Sequence, residues 1–413
     1  MAQIDITLNR EEILQLFFEN RDEALKILMT KVLNELLQAE SEEQLGAGKS
    51  ERSSSRTDYR NGTRERTLNT RIGSIELTVP RHRNEPFHTM IFESDSRSEA
   101  SLIETMVEMV ISGVSTRKVE KVVETLCGTS FSKSTVSELC KKLDSEVFNF
   151  THRDLSYYCC PFLMVDATYF KVREDHKIVS KAFLTAIGFK YDGTKEVLGF
   201  EVHDAEDNYS WITFFQSLKE RGLNSVKVII SDSHRAIKTA IRTVYPDAAW
   251  QRCQVHLTRN IIDATPTKYA VGIKTELKEM FEATSLENAR KLKNELVKEY
   301  EDVAPKAVKI LEDGFEDCMT VMSLPEKLRI VLRTTNTIES LNRQFKRRSD
   351  VIQIFPNSAS VMRLIGSVAI EQSDEMQKKK KLYSEKTYVQ ISEILDKELA
   401  KTVQRQKAEF DAA

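Results

Sequence analysis

Two aspartates in this 413-residue chain sit where chemistry is expected. Asp166 follows the apolar run Phe162-Leu163-Met164-Val165, and Asp232 follows Val226-Lys227-Val228-Ile229-Ile230 and a serine. Each reads as a carboxylate at the point where a buried strand meets water, and in α/β sheets ligands gather at the carboxyl ends of strands. If the two strands are neighbours, the carboxylates converge. Hard divalent cations such as Mg²⁺ or Mn²⁺ take oxygen ligands of this kind. Two such ions about 3.5–4 Å apart can activate an attacking oxygen and stabilise a leaving one in phosphodiester cleavage. Either aspartate alone is explained as well by capping the next turn; the pair, in the strand order described below, favours the metal reading.

A third carboxylate, Glu339, lies 107 residues beyond Asp232, which itself lies 66 beyond Asp166. Over residues 335–348 the spacing predicts a helix whose apolar stripe is Ile338, Leu341 and Phe345, with Glu339, Asn342, Arg343 and Lys346 on the adjoining stripe. A carboxylate, an amide and cations on one face suit a metal ligand flanked by DNA-backbone contacts, with Arg347 and Arg348 extending the basic run. The competing reading is a solvated face on which Glu339 pairs with Arg343 at i,i+4. Cys253-Gln254-Val255-His256 is half of a zinc site with no second pair at the usual spacing. His234 and Cys318 are the only conscripts, so Cys253, His256 and the nearby Trp250 are read as structural or active-site support. Stacking on a base is the minor reading for Trp250 and Trp211.

The elements needed to hold these residues follow from periodicity. Strands are expected at 162–165, 182–189 and 197–202, the last two joined by the hairpin signal Asp192-Gly193. A helix capped by Asn208 and ended by Gly222, a strand at 226–230, a helix over 234–244 and a strand around Trp250 complete the order. Three antiparallel strands followed by alternating helices and parallel strands is the ribonuclease-H-like order. Residues 257–331 read as helices only. Upstream, 10–44 is an amphipathic helix with Ile13, Leu14, Phe17, Phe18, Leu25, Leu28, Leu33 and Leu37 at helical spacing. Residues 46–63 read as a polar, mobile linker, and 67–79 as a hairpin turning at Gly73-Ser74. Three helical pieces over 98–148, separated by Gly113 and Gly128, suit either a helix-turn-helix DNA reader or a plain bundle.

Composition bounds the rest. With 40% hydrophobic and 30% charged residues, a net charge of −2 and six scattered cysteines, the chain reads as a soluble protein of a reducing cytoplasm, built of several domains. It has no apolar run near the roughly 18 residues of a membrane span and no secretory leader pattern. Charge is unevenly placed: residues 1–45 carry ten acidic and four basic side chains, 51–83 carry eight arginines against four acids, and 333–348 carry five basic side chains and one acid. Local basic patches on a near-neutral chain are a footprint of nucleic-acid binding.

Longer motifs carry a family resemblance. Tyr59-Arg60-Asn61-Gly62, Val79-Pro80-Arg81, Asp166-Ala167-Thr168-Tyr169, Ser231-Asp232-Ser233-His234 and Trp250-Gln251-Arg252-Cys253-Gln254-Val255-His256 resemble the Mutator-type transposases of bacterial insertion sequences. So do Thr335-Asn336-x-Ile338-Glu339-x-x-Asn342-x-x-x-Lys346-Arg347-Arg348 and Phe355-Pro356-Asn357, the match spanning about residues 55–370. Ser233 stands where related sequences often have glycine or alanine. The resemblance implies a ribonuclease-H-like catalytic domain (158–256 and 332–372) interrupted by an all-helical insertion (257–331). An N-terminal helical region (1–45) and a DNA-binding region (46–150) precede it, and a basic helical tail (373–413) follows. It also implies a catalytic, metal-binding triad of Asp166, Asp232 and Glu339 with two Mg²⁺ or Mn²⁺ ions. The implied activity is cleavage at terminal inverted repeats of double-stranded DNA and joining of the freed 3′-hydroxyl to target DNA, by a homodimer at the bacterial nucleoid. DNA contacts are expected from Arg60, Arg64, Arg66, Arg71 and Arg81 and from Asn342, Arg343, Lys346, Arg347 and Arg348. The rivals are a nuclease that cuts without joining and a domesticated DNA-binding regulator.

Overall fold

Met29, Leu33 and Leu37 recur at four-residue spacing, so they share one face of the first described helix, α1 (Arg21–Leu45). The computed structural model describes residues 21–51, 55–70, 73–91, 100–127 and 133–411; Ile13, Leu14, Phe17 and Phe18 lie outside them. The chain divides into two compact units, residues 1–142 and 143–413.

In the first unit the α1 stripe packs on Leu68, Ile75, Leu77 and Val79 of a hairpin formed by β1 (Arg60–Thr70) and β2 (Gly73–His82). Gly73 pairs with Thr70 and Ser74 with Asn69, so both belong to β2 and do not form the expected turn. The strands are also longer than their apolar cores, because paired backbone extends them past the last buried side chain. Where the expected linker is described it is bound down. Thr57 N donates to the Leu45 carbonyl, and the Asp58 carboxylate accepts from the backbone of Glu85, Asn84 and Tyr59, which holds it down at about 2. Downstream, α2 (Ala100–Ile111), α3 (Thr116–Cys127) and α4 (Lys133–Leu139) enclose Leu102, Ile103, Met106, Val119, Val123 and Val136. The single third piece expected there breaks at a 3-10 turn, Cys140–Lys142, before α5 (Leu143–His152) opens the second unit.

The second unit is built on a strand the apolar run underestimates. After Asp166, Thr168, Phe170 and Val172 are buried while Tyr169, Lys171 and Arg173 are exposed, and this alternation carries β3 from Phe162 to Glu174. Asp166 is therefore inside a strand, not at its end. The extension is held by β4 (Lys177–Phe189), antiparallel to β3 over its full length, from Phe162↔Phe189 to Glu174↔Lys177. β5 (Lys195–His203) pairs with β4 across the expected Asp192-Gly193 turn, where Gly193 has φ +85°. On the other side β6 (Val228–Ser231) and β7 (Ala249–Arg252) run parallel to β3, giving the order β5-β4-β3-β6-β7.

Helices cover both faces. α6 (Asn208–Glu220) and α7 (Arg235–Val244) bring Trp211, Phe215, Leu218, Ile237 and Ile241 onto Leu163, Val165, Leu184 and Leu198. The cap of α6 is Asp207, one residue earlier than expected, in a reciprocal capping box with Ser210. Five helices follow β7: α8 (Gln254–Asp263), α9 (Ala270–Phe281), α10 (Leu286–Tyr300), α11 (Pro305–Cys318) and α12 (Glu326–Leu332). The first four surround their own core of Leu257, Ile261, Ile273, Leu277, Leu311 and Phe315. On the opposite face of the sheet lie α13 (Asn336–Ile352) and α14 (Ser358–Lys378), where Phe183 meets Phe170, Phe200 and Phe345 at 5.8, 5.5 and 5.4 Å. The last helix, α15 (Glu385–Asp411), closes the open edge of the sheet: the Gln406 amide bonds both the N–H and the carbonyl of Trp250, at 2.9 and 2.8 Å. No helix among the described residues is long and apolar enough to cross a membrane.

Candidate active site

Parallel pairing brings two carboxylates together. β6 pairs with β3 only as far as Met164↔Ile230, so Asp166 lies two residues past the last pair and Asp232 directly after β6. Both thus occupy the carboxyl end of the parallel pair. Burial, and then the charge of Asp232, push the Asp166 carboxyl up to about 7, against a hydrogen bond from its neighbouring Ala167 N–H. One carboxylate oxygen of Asp166 accepts from Asn342 Nδ2 at 2.7 Å. Asp232 Oδ1 accepts from His234 N at 3.2 Å.

Glu339 approaches from the first turn of α13, whose buried stripe is the expected Ile338, Leu341 and Phe345. Its partners are Thr335 Oγ1, which donates to Oε1 at 3.2 Å, and His256 Nε2 at 3.7 Å; Arg343, the partner of the solvated-face reading, is exposed. The start of α13 is stitched to the start of α8: Gln254 N donates to the Arg333 carbonyl at 3.0 Å, and Thr335 N to Cys253 Sγ at 3.4 Å. His256 is raised by its hydrogen bond to Cys253, with Glu339 and Asp166 adding to it. Burial opposes a thiolate at Cys253, but bonds from His256 and Thr335 outweigh it and lower the thiol. His256 thus stands beside Glu339, and Cys253 contacts His256 and Thr335.

Among the described residues no three His, Cys, Asp or Glu side chains form a ready-made cage, and this holds for Asp166, Asp232 and Glu339 as it does for Cys253, His256, His234 and Cys318. The donors that do meet, Asp166 and Asp232, are hard oxygens whose mutual repulsion a divalent cation would relieve. Mg²⁺ is commonly held by one or two carboxylates, with water and substrate phosphate completing its shell. The pair fits such an ion, and Glu339 is the next carboxylate in reach of the same cluster through His256 and Asn342.

Several neighbours escape sequence reasoning. Glu206, just before α6, accepts from Tyr169 OH at 2.8 Å and Trp211 Nε1 at 3.1 Å, and its charge reaches Asp166. In the sequence it is one acid in a polar turn, with no pattern to single it out. Trp250 is buried and its indole donates to Ser231 Oγ at 2.9 Å, which in turn donates to the Asp232 carbonyl at 2.8 Å. Both tryptophans are core residues here, not stacking platforms. Asn342, expected on DNA, is turned to Asp166. Of the other expected DNA contacts, Arg343, Lys346 and Arg347 are exposed and Arg348 half-buried. Arg60 is engaged internally with the Gly48 and Ala47 carbonyls, each at 3.0 Å, and with Glu42. Arg64 and Arg81 are exposed and Arg66 half-buried, while Arg71 lies outside the described residues.

Residues 1–379 match the family model described as transposase, Mutator family. The chain is 41% identical to the transposase for insertion sequence element IS256 in transposon Tn4001 of Staphylococcus aureus, over 94% of this chain and 99% of the relative. It is 39% identical to the transposase for ISRM5 of Rhizobium meliloti, over 84% of this chain and 87% of the relative. A third relative, the transposase for IS1081 of Mycobacterium tuberculosis, is 35% identical over 85% of each chain. The chain belongs to the Mutator family of transposases.

The carboxylate pair has a consequence for stability. With its carboxyl raised from 3.8 to about 7, folded Asp166 holds a proton that the unfolded chain has already released. The metal-free fold therefore loses stability as pH rises through that window. Asp166→Asn keeps the shape and removes the charge, so at pH 8 without divalent ions it should stabilise the protein by about 1–4 kcal/mol, and the gain should shrink towards pH 4. Thermal or urea unfolding of both proteins at the two pH values measures this; an Asn variant equally destabilised at both would contradict it.

Proposed function

We propose that this transposase cuts the terminal inverted repeats of an insertion sequence and joins the freed 3′-hydroxyl to target DNA, using Asp166, Asp232 and Glu339 as a metal-binding triad. The observation that carries the reading is the meeting of Asp166 and Asp232 at the carboxyl end of neighbouring parallel strands, with the helix bearing Glu339 hydrogen-bonded to Asp166 through Asn342. The relatives' names, each a transposase of an insertion sequence, support the substrate class. The order β5-β4-β3-β6-β7 supports a ribonuclease-H-like catalytic domain, and the separate helical core between β7 and α13 supports reading 257–331 as an insertion. Two Mg²⁺ or Mn²⁺ ions, when bound, would supply activation of the attacking oxygen and stabilisation of the leaving one.

The chain's own part is positional. Asn342 holds the Asp166 carboxylate by an N–H bond that favours its ionised form. The Phe345 stripe fixes α13 against the sheet, and Arg343, Lys346 and Arg347 line the same helix where DNA phosphates would lie. Joining rather than mere cutting is the mark that separates this reading from a nuclease, and a working triad separates it from a regulator. The protein acts in the cytoplasm at the nucleoid, as a homodimer that holds two element ends.

Asp166→Asn, Asp232→Asn and Glu339→Gln should each abolish cleavage of labelled terminal-repeat DNA, as should EDTA, while band-shift affinity stays near wild type. A zinc-selective chelator should have little effect. Near-normal cleavage by any of the three variants would remove that residue from the triad.

The two basic regions should differ in what they read. Contacts beside the carboxylates must accept varied target sequences, so they should go to phosphates, which position DNA without reading it. Lys346→Ala should then weaken binding to repeat and scrambled duplexes alike and lower the salt slope by about 1. Removing residues 1–142 should leave weak binding with no preference for the repeat. Titrations at several salt concentrations decide this; a truncated protein that still prefers the repeat would refute the division.

A further inference from the structure

Thr335 is the N-cap of α13, yet its hydroxyl caps no backbone N–H. A threonine at that position ordinarily accepts from the second or third amide of its helix. Here the side chain is turned away from that role and is 1% exposed. Its Oγ1 donates to Glu339 Oε1 at 3.2 Å and lies 3.2 Å from Cys253 Sγ and 3.4 Å from His256 Nδ1. Its backbone N–H is tied to the same sulfur at 3.4 Å. A hydroxyl has one proton to give and two lone pairs to receive. With the proton on the Glu339 carboxylate, the strongest acceptor in reach, a His256 Nδ1–H can donate to the oxygen from behind, while Cys253 Sγ accepts from the Thr335 backbone N–H. The Cys253-x-x-His256 motif is thereby connected to the third carboxylate through a single side chain.

We propose that Thr335, anchored by Cys253 and His256, is the positioning residue that fixes the Glu339 carboxylate for metal binding. This rests on the reading of Glu339 as a metal ligand. The competing explanation is that the cluster only fastens α8 to α13, in which case the hydroxyl is dispensable wherever packing is kept.

Full-length Thr335→Val keeps the shape and loses the hydroxyl; Thr335→Ser keeps the hydroxyl. Mn²⁺ binding followed by electron paramagnetic resonance, without DNA, reads the site apart from turnover. Thr335→Val should weaken Mn²⁺ binding by about 10–100-fold, the range for lost supporting hydrogen bonds, with DNA affinity unchanged and Thr335→Ser close to wild type. In a Glu339→Gln background Thr335→Val should add no further loss. Cys253→Ala is the second variant, should Thr335→Val not fold; it should weaken Mn²⁺ binding severalfold and be rescued by Cys253→Ser. Wild-type Mn²⁺ binding in whichever of the two folds, beside a weakened Glu339→Gln, overturns this inference alone. Unaltered Mn²⁺ binding by Glu339→Gln overturns the assignment of Glu339 and this inference with it.

Discussion

Two carboxylates brought together just past the last pairing of two parallel strands repel each other when both are charged, and the rest of the second unit resists their separation. Asp166 is half-buried and feels Asp232 across the β3–β6 pair. A loose scaffold would relieve the repulsion by moving a strand end. Here β3 is clamped along thirteen residues by β4, and both faces of the sheet are packed, by Trp211, Phe214 and Phe215 on one side and by the Phe183 cluster on the other. Burial and this repulsion together hold the Asp166 carboxyl up, an electrostatic environment that a divalent cation would convert from unfavourable to favourable. Perturbed carboxylates of this kind concentrate at functional sites.

The pieces that approach the pair do so through specific hydrogen bonds. α13 reaches Asp166 with Asn342 and is fixed at its start to α8 through Arg333, Thr335 and Cys253. Asp232 is supported from behind by a chain running from Gln406 on the last helix, through the backbone and indole of Trp250, to Ser231. Residues distant in sequence thus set the geometry of each carboxylate. The first four helices after β7 keep a core of their own, separate from the packing that sets that geometry.

How much of this is legible in the sequence depends on whether the cause is local. The apolar stripe of α13, the Asp192-Gly193 turn and the strands around Asp166 and Asp232 come from short-range periodicity, and the resemblance of the long motifs adds the family. The true length of β3 is also local, since Thr168, Phe170 and Val172 alternate cleanly, but the polar residues between them hide it behind the stronger run at 162–165. Other features depend on the fold. Glu206 becomes an active-site neighbour only because the start of α6 is folded beside Tyr169, and Arg60 turns inward because Gly48 and Ala47 offer carbonyls across the chain. Asn342 shares a face with Arg343 and Lys346 on any helical wheel; only the position of β3 determines that it meets Asp166.

The proposed mechanism requires Asp166, Asp232 and Glu339 to form one metal centre. Crystals grown with Mn²⁺ and terminal-repeat DNA, measured by anomalous scattering at the manganese edge, test it most directly. Manganese peaks should lie on the Asp166 carboxylate, shared with Asp232 and Glu339, with none at Cys253 and His256. Manganese held at Cys253 and His256, or ordered density there with Asp166 left bare, would contradict it.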